Sequence, residues 1–158
     1  WDPAAVRLAM TAGAGATVPL RVGGKAGPLS GPPFDGVARV IATADDVRQG
    51  GPFERSGRPQ GGALVEMDGL YIVLSGRRQQ CVSPEAFTCL GFDPAQLRLI
   101  VVKSMQHFHA HFAALATDIV YASAPGSLTF DLAALPLKNI RRPIWPLDPD
   151  PDSEGAEA

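Results

Sequence analysis

Three features that often reveal a protein's class are scarce in this chain of 158 residues. No apolar run approaches the roughly 20 residues that a membrane-spanning helix needs, which argues against a membrane as a partner. The two cysteines, Cys81 and Cys89, match neither a zinc motif nor a disulfide scaffold, and this favours a reducing, cytoplasmic location. The net charge is only −2, so we do not expect nucleic acid to be the main partner.

Common catalytic signatures are also missing. Gly23, Gly24 and Lys25 form a Gly-Gly-Lys turn, but this turn lacks the spacing of a phosphate-binding P-loop or a dinucleotide fingerprint. No ordered serine, histidine and aspartate, and no cysteine in a catalytic context with histidine, indicates a nucleophile. Because the chain begins with Trp1 and not with methionine, we expect it to be a piece or a processed product of a longer protein.

What the chain does contain is typical of a globular domain. Apolar residues make up 46% and charged residues 19%, which is enough to build a sizeable core. Residues 149–158 are acidic and lack bulky apolar side chains, which predicts a disordered tail. We therefore expect one domain, residues 1–148, followed by that tail.

Local signals predict a mixed α/β domain, with a small sheet of parallel and antiparallel strands covered by two or three helices. Asp2 and Pro3 are typical of a helix start, and Gly13 of the end of that helix. Residues 17–22 alternate like a strand, and a proline at position 19 predicts that this strand lies at a sheet edge or contains a bulge. Asp68-Gly69 between two apolar runs predicts a β-hairpin. Residues 45–62 lack apolar periodicity and are rich in turn-forming residues, which predicts a long loop. Loops of this length are often functional.

A strand–helix–strand unit is predicted between residues 97 and 121. Residues 97–102 and 118–121 are apolar, β-branched runs typical of buried parallel strands. Between them, Phe108, Phe112 and Leu115 recur at the spacing of one helix face. A right-handed crossover would place the turn after the first strand beside a helix N-terminus, where ligands of parallel sheets bind.

Lys103, Ser104 and His107 occupy that turn and are the main candidates for a ligand site. Backbone N–H groups, the positive end of a helix and the Lys103 ammonium would converge there on an anion or a carboxylate. A neutral His107 in the first helical turn could polarise a carbonyl group. The alternative is that Ser104 only caps the helix, that Lys103 is solvated and that His107 has an ordinary backbone partner.

Four further residues are outer candidates for contact with a substrate. Gly23, Gly24 and Lys25 could bring a backbone close to an anion, or could simply end a strand. Arg77, next to Arg78, could clamp a carboxylate with two hydrogen bonds. The alternatives are that the pair is the solvated end of a strand or is paired with an acidic residue of a domain outside this chain.

Three alternating histidines, His107, His109 and His111, invite a metal interpretation. On the predicted helix only His107 and His111 share a flank, because residues four apart are neighbours and residues two apart are not. Two histidines do not complete a zinc site, and the sequence offers no identifiable third ligand. We therefore predict no metal ligands in this chain.

Five motifs occur in an order that resembles a known family. They are GGK, SGRRQQ, VVKS-x-x-HF, DIVYASAPG and LPLKNIRRPIWPLD. Together they resemble the C-terminal domain of the MlrC-like metallopeptidases, a family named for an enzyme that breaks down linearised microcystin. The resemblance extends over residues 2–148.

This resemblance implies that two domains have different roles, one in binding zinc and the other in contacting the substrate. In full-length members a larger N-terminal domain holds the zinc site, so the zinc ligands would lie outside this chain, which alone should bind no cofactor and be inactive. Lys103, Ser104 and His107 would then face the cleft between the domains and bind a peptide or amide substrate. The alternatives are a non-catalytic binding or assembly module, which could pack against a partner or form a homo-oligomer, and a small anion-binding α/β domain.

Overall fold

The computed structural model describes residues 1–50, 57–124, 126 and 131–148. Its backbone separates into two compact units, of which the first is Trp1–Tyr121 and the second begins at Ala122. The predicted tail, residues 149–158, lies outside the described residues. No helix among those residues is long and apolar enough to cross a membrane.

The first unit begins with helix α1, Pro3–Ala12. Asp2 caps it through a side-chain oxygen, Pro3 stands in its first turn, and Gly13 follows its last residue with a φ of +81°. Each of these signals is local, and together they confirm the predicted helix and both of its ends.

Four antiparallel strands follow in the spatial order β1-β2-β3-β4. They are β1 (Thr17–Val22), β2 (Phe34–Ala44), β3 (Gly62–Met67) and β4 (Leu70–Ser75). β1 lies at the edge, which agrees with the prediction from Pro19. Asp68 and Gly69 join β3 to β4 with φ of +50° and +80°, which confirms the predicted hairpin.

Apolar side chains pack on both faces of the sheet. Helix α1 lies across one face and forms a cluster with residues of all four strands, namely Ala5, Val6, Ala9, Leu20, Ala38, Val40, Ala63, Val65, Met67 and Leu74. A second cluster contains side chains from two short helices, α2 (Glu85–Thr88) and α3 (His109–Phe112), and consists of Val47, Ala86, Phe87, Phe108 and Phe112. The domain is therefore a mixed α/β fold, as predicted.

The structure corrects the predicted parallel strand–helix–strand unit. Residues 97–102 and 118–121 belong to no strand, and the described part of the chain contains only antiparallel strand pairs. Helix α3 begins at His109 and not at Ser104, and a 3-10 turn, Ala113–Leu115, follows it. A β-branched run favours an extended backbone, but a strand also needs a hydrogen-bonded neighbour, and the described part of the chain supplies none to these residues. The expected strand-to-helix corner at Ser104 is therefore not formed.

In the second unit, the described residues 122–124, 126 and 131–148 form turns without a helix or a strand. Asp148 closes one turn, because its carboxylate accepts a hydrogen bond from the Ile144 N–H at 2.7 Å and another from the Arg142 guanidinium. Trp145 projects from this turn and is 72% exposed.

Candidate functional site

The Gly-Gly-Lys turn surrounds the carboxylate of Asp2, a buried side chain at the start of α1. Asp2 Oδ2 accepts hydrogen bonds from the Gly23 N–H at 3.0 Å and from Lys25 Nζ at 2.6 Å. Asp2 Oδ1 accepts a third from the Ala5 N–H at 3.0 Å. Burial alone would raise the pKa of Asp2, but the bonds from Lys25, Ala5 and Gly23 outweigh burial and lower that pKa. One ionised carboxylate therefore joins the helix to the turn.

Gly23 and Gly24 both adopt a left-handed backbone, with φ of +70° and +67°. A Cβ at Gly24 would lie 2.5 Å from Pro33 N, whereas a Cβ at Gly23 would meet nothing within 4 Å. Lys25 also donates to the Arg21 carbonyl at 2.5 Å, and its side chain is 38% exposed. The anion that this turn contacts belongs to the chain itself, and a role of these residues in substrate binding stays a prediction.

Arg77 points inward from the end of β4 and is almost buried. Its Nη2 donates to Asp46 Oδ2 at 2.7 Å and to the Arg58 carbonyl at 3.0 Å. Both acceptors belong to the long loop between β2 and β3. The second oxygen of Asp46, Oδ1, is buried and has no hydrogen-bond partner within the described residues. Arg77 thus holds the loop onto the end of the sheet, and its predicted contact with a substrate carboxylate stays untested.

Gln49 extends this connection to the residues that follow Arg77. Its side chain is buried, donates to the Gln80 carbonyl at 2.8 Å and accepts from the Val82 N–H at 2.7 Å. Gln79 donates from its amide to the Val47 carbonyl at 3.1 Å. The segment SGRRQQ, residues 75–80, is therefore bonded to the start of the loop at several points.

Ser104 lies beside the same segment. Its hydroxyl donates to Gln80 Oε1 at 3.1 Å, so Ser104 contacts a side chain and caps no helix. Lys103 and His107 are exposed. The pKa of the Trp1 amino group is lowered by burial and further by the charge of Lys103, against an opposing effect of Asp2.

A groove of about 950 Å³ opens beside Gly76, Arg77 and Arg78 of SGRRQQ, and its described lining does not include Lys103, Ser104 or His107. Trp1 forms one wall, because its indole N–H donates to the Gly76 carbonyl at 3.0 Å and the Arg78 guanidinium carbon lies 5.4 Å from its ring centroid. Among the described residues that line the groove, Arg7, Arg77 and Arg78 are basic and Asp45 is acidic. This excess of positive charge favours an anionic ligand.

The three alternating histidines do not assemble into a metal site in the described part of the chain. All three are exposed, and no group of three or more histidine, cysteine or acidic side chains lies close enough to hold a metal ion among the described residues. A zinc ion therefore does not fit these side chains, and we assign no step of a reaction to one here.

Cys81 is unsuited to act as a nucleophile. Burial raises the pKa of its thiol to about 11, because the partly apolar surroundings disfavour the charged thiolate. The thiol packs against the second apolar cluster and is free of a disulfide. The cysteine is therefore part of the core and not of a reactive site.

The structure brings Ser104 to Gln80 and attaches Arg77 to the loop. Gly23 and Lys25 contact Asp2, and Gly24 lies between them, beside Pro33. Sequence reasoning missed Asp46, Gln49 and Gln80. The motif SGRRQQ could have indicated Gln80, but no local pattern in the loop marks Asp46 or Gln49 as partners. What results is a polar surface beside SGRRQQ whose described cations include Arg77 and Arg78.

The chain is similar to known proteins over nearly its whole length. Residues 1–139 match the family described as MlrC C-terminus. The chain is 35% identical over 156 residues to Microcystinase C from a Sphingomonas species, a match that covers 94% of this chain and 28% of that protein. It also resembles the crystal structure of a candidate metallopeptidase from Mesorhizobium sp. BNC1, with 26% identity, a TM-score of 0.74, and coverage of 93% of this chain and 30% of that one. The chain thus spans less than a third of the length of these relatives.

Proposed function

The chain belongs to the MlrC C-terminus family, and we propose that it is the substrate-side domain of a longer zinc-dependent metallopeptidase or amidohydrolase. The relatives are about three times as long as the matched segment, which leaves room for a separate N-terminal domain that carries the zinc. When bound there, zinc would polarise the scissile carbonyl and supply an activated water. The residues of this chain would bind and orient the peptide or amide.

The observation that carries this proposal is the cationic surface around SGRRQQ. Ser104 is bonded to Gln80 in this segment, and the exposed Lys103 immediately precedes Ser104 in the chain. The neighbouring groove has three arginines in its lining. A carboxylate on a peptide would be attracted to such a surface and held by Lys103, with Ser104 and His107 as hydrogen-bonding groups.

The outer candidates take a supporting role in this proposal. Arg77 is hydrogen-bonded to Asp46 and to the Arg58 carbonyl, and Lys25 is hydrogen-bonded to Asp2. In this proposal these two cations stabilise the fold and do not contact the substrate directly. Gly23 and Gly24 allow the tight turn that brings Lys25 to Asp2.

The test uses the full-length protein with its metal and a linear peptide, assayed once with a free carboxyl terminus and once amidated. We expect Lys103→Ala to raise KM and lower kcat/KM roughly tenfold for the free acid, and much less for the amide. His107→Ala should lower kcat/KM for both peptides. Matched controls are Lys138→Ala and His109→Ala, which remove equally exposed side chains of the same type.

Metal content is measured on every variant, so that a lost zinc is not mistaken for lost binding. Unchanged kinetics in Lys103→Ala and His107→Ala, with zinc and folding intact, would contradict the proposal. That result would favour the second candidate function, a non-catalytic assembly module. The observation that favours this second candidate is the exposure of apolar side chains such as Leu99 and Val101.

A further inference from the structure

Two segments of the first unit expose apolar side chains, and the first does so in a regular alternation. In residues 99–102, Leu99 and Val101 are 77% and 82% exposed, whereas Ile100 and Val102 pack against the second apolar cluster. In residues 119–121, Ile119 packs on that cluster, whereas Val120 and Tyr121 are 85% and 60% exposed. An alternation with a period of two is that of an extended strand with one face on a core. The opposite face of both segments is apolar and uncovered.

The backbone of these segments is also unpaired. Within the described residues, no backbone hydrogen bond involves residues 99–102 or 119–121. Nearby contacts nevertheless hold both segments in place, since Ser104 is bonded to Gln80 and the Tyr121 ring lies 5.8 Å from that of Phe108. Extended backbone with free N–H and carbonyl groups is a template for another strand.

The charges at the ends of the first segment indicate what kind of strand would fit. Arg98 and Lys103 flank the apolar run, and neither forms an ion pair with an acidic group in the described part of the chain. In a symmetric antiparallel pair of two copies, Arg98 of one copy would lie beside Lys103 of the other at both ends, which is unfavourable. A different strand, apolar in its middle and acidic opposite Arg98, would avoid this repulsion and leave Lys103 available to a substrate.

The relatives are long enough to provide such a strand, because the chain covers only 28% and 30% of them. We infer that residues 99–102 and 119–121 are docking strands, which pair with β-strands of the N-terminal part of the longer protein. The exposed faces of Leu99, Val101 and Val120 are then buried against that part. This inference shares with the proposed function only the existence of a longer protein, and requires neither zinc nor a particular substrate.

Hydrogen exchange followed by mass spectrometry tests the inference on this chain alone and on the full-length protein. Peptides over residues 99–102 and 119–121 should exchange rapidly in the chain and about 100-fold more slowly in the full-length protein. The hairpin turn at Asp68-Gly69 should exchange alike in both, and β3 should be protected in both. Equal exchange of the two segments in both proteins would overturn the inference.

Val101→Glu and Val120→Glu supply a second test, because each places a charge on the inferred docking face. In the full-length protein either variant should cancel most of the added protection, whereas Val37→Glu, at a 65% exposed valine on β2, should leave it intact. Circular dichroism of the isolated chain checks that each variant folds. If the chain alone dimerises in sedimentation and Val101→Glu abolishes the dimer, the occupant is a second copy and the inference is wrong. These measurements need no turnover. They therefore test the docking strands even if the proposed function is wrong.

Discussion

Lys25 Nζ lies 2.6 Å from the carboxylate of Asp2, across 23 positions of sequence. The same carboxylate caps α1 at Ala5 and accepts the Gly23 N–H. The only motif that sequence reasoning connected with anion binding in this region thus contacts an anion of its own chain. Three consequences of this contact for stability, and one of the Arg77–Asp46 ion pair, can be measured on the 158-residue chain.

Asp2→Ala should lower the free energy of unfolding by about 2–3 kcal/mol. The variant loses a helix cap, worth about 1 kcal/mol, and leaves the Gly23 N–H and Lys25 without their acceptor. Urea unfolding followed by circular dichroism measures the change. Asp35→Ala is the matched control, because it breaks the Arg21 ion pair, whose Asp35 side chain is 53% exposed, and solvent screening should make this loss clearly smaller than that of Asp2→Ala. Equal costs for both variants would contradict the special role of Asp2.

The stability of the chain should fall in acid because of Asp2. Its pKa is below the ordinary value of 3.8 in the folded state, so the unfolded chain binds more protons as the pH falls. The stabilisation is present above the unfolded pKa of about 4 and is lost as the pH falls through the lower folded pKa. Unfolding free energies of the wild type and of Asp2→Asn, measured from neutral to acidic pH, should differ at neutral pH and converge in acid. A difference that is independent of pH would show that the charge of Asp2 is not responsible.

Gly24→Ala should destabilise the chain more than Gly23→Ala. Both residues have positive φ, which costs an alanine about 1–2 kcal/mol. At Gly24 the added Cβ would also lie 2.5 Å from Pro33 N, whereas the space at Gly23 is open. We expect Gly24→Ala to cost at least about 1 kcal/mol more than Gly23→Ala, measured by chemical denaturation. Similar costs would mean that the segment around Pro33 moves aside freely.

Arg77→Ala should cost about 3 kcal/mol, because it leaves the Asp46 carboxylate largely buried and without its cation. Asp46→Ala in the same chain should restore part of that loss, so a double-mutant cycle should show a favourable coupling. Arg39 and Glu66 provide the comparison, since their 3.5 Å contact involves an arginine that is 55% exposed and should couple by less than about 1 kcal/mol. Absence of coupling between Arg77 and Asp46 would show that Arg77 does not hold the loop through this carboxylate.

The sequence by itself determined those elements whose signals are local. The Asp2-Pro3 start of α1, the Gly13 end, the Asp68-Gly69 hairpin and the edge position of β1 with Pro19 were all predictable, because a cap, a turn or a missing N–H acts within a few residues. The motifs that resemble the MlrC family could also be recognised from the sequence, because the order of motifs along the chain is a property of the sequence alone.

Only the tertiary structure decided which distant groups meet. Asp2 is hydrogen-bonded to Lys25, Arg77 to Asp46 and Gln49 to Gln80. Folding brings these distant segments together, and no sequence spacing predicts which of them meet. The same reason explains the corrected strands. The residues of 97–102 and 118–121 favour an extended backbone, but a strand exists only when a neighbour accepts its hydrogen bonds, and a run of β-branched side chains carries no information about that neighbour.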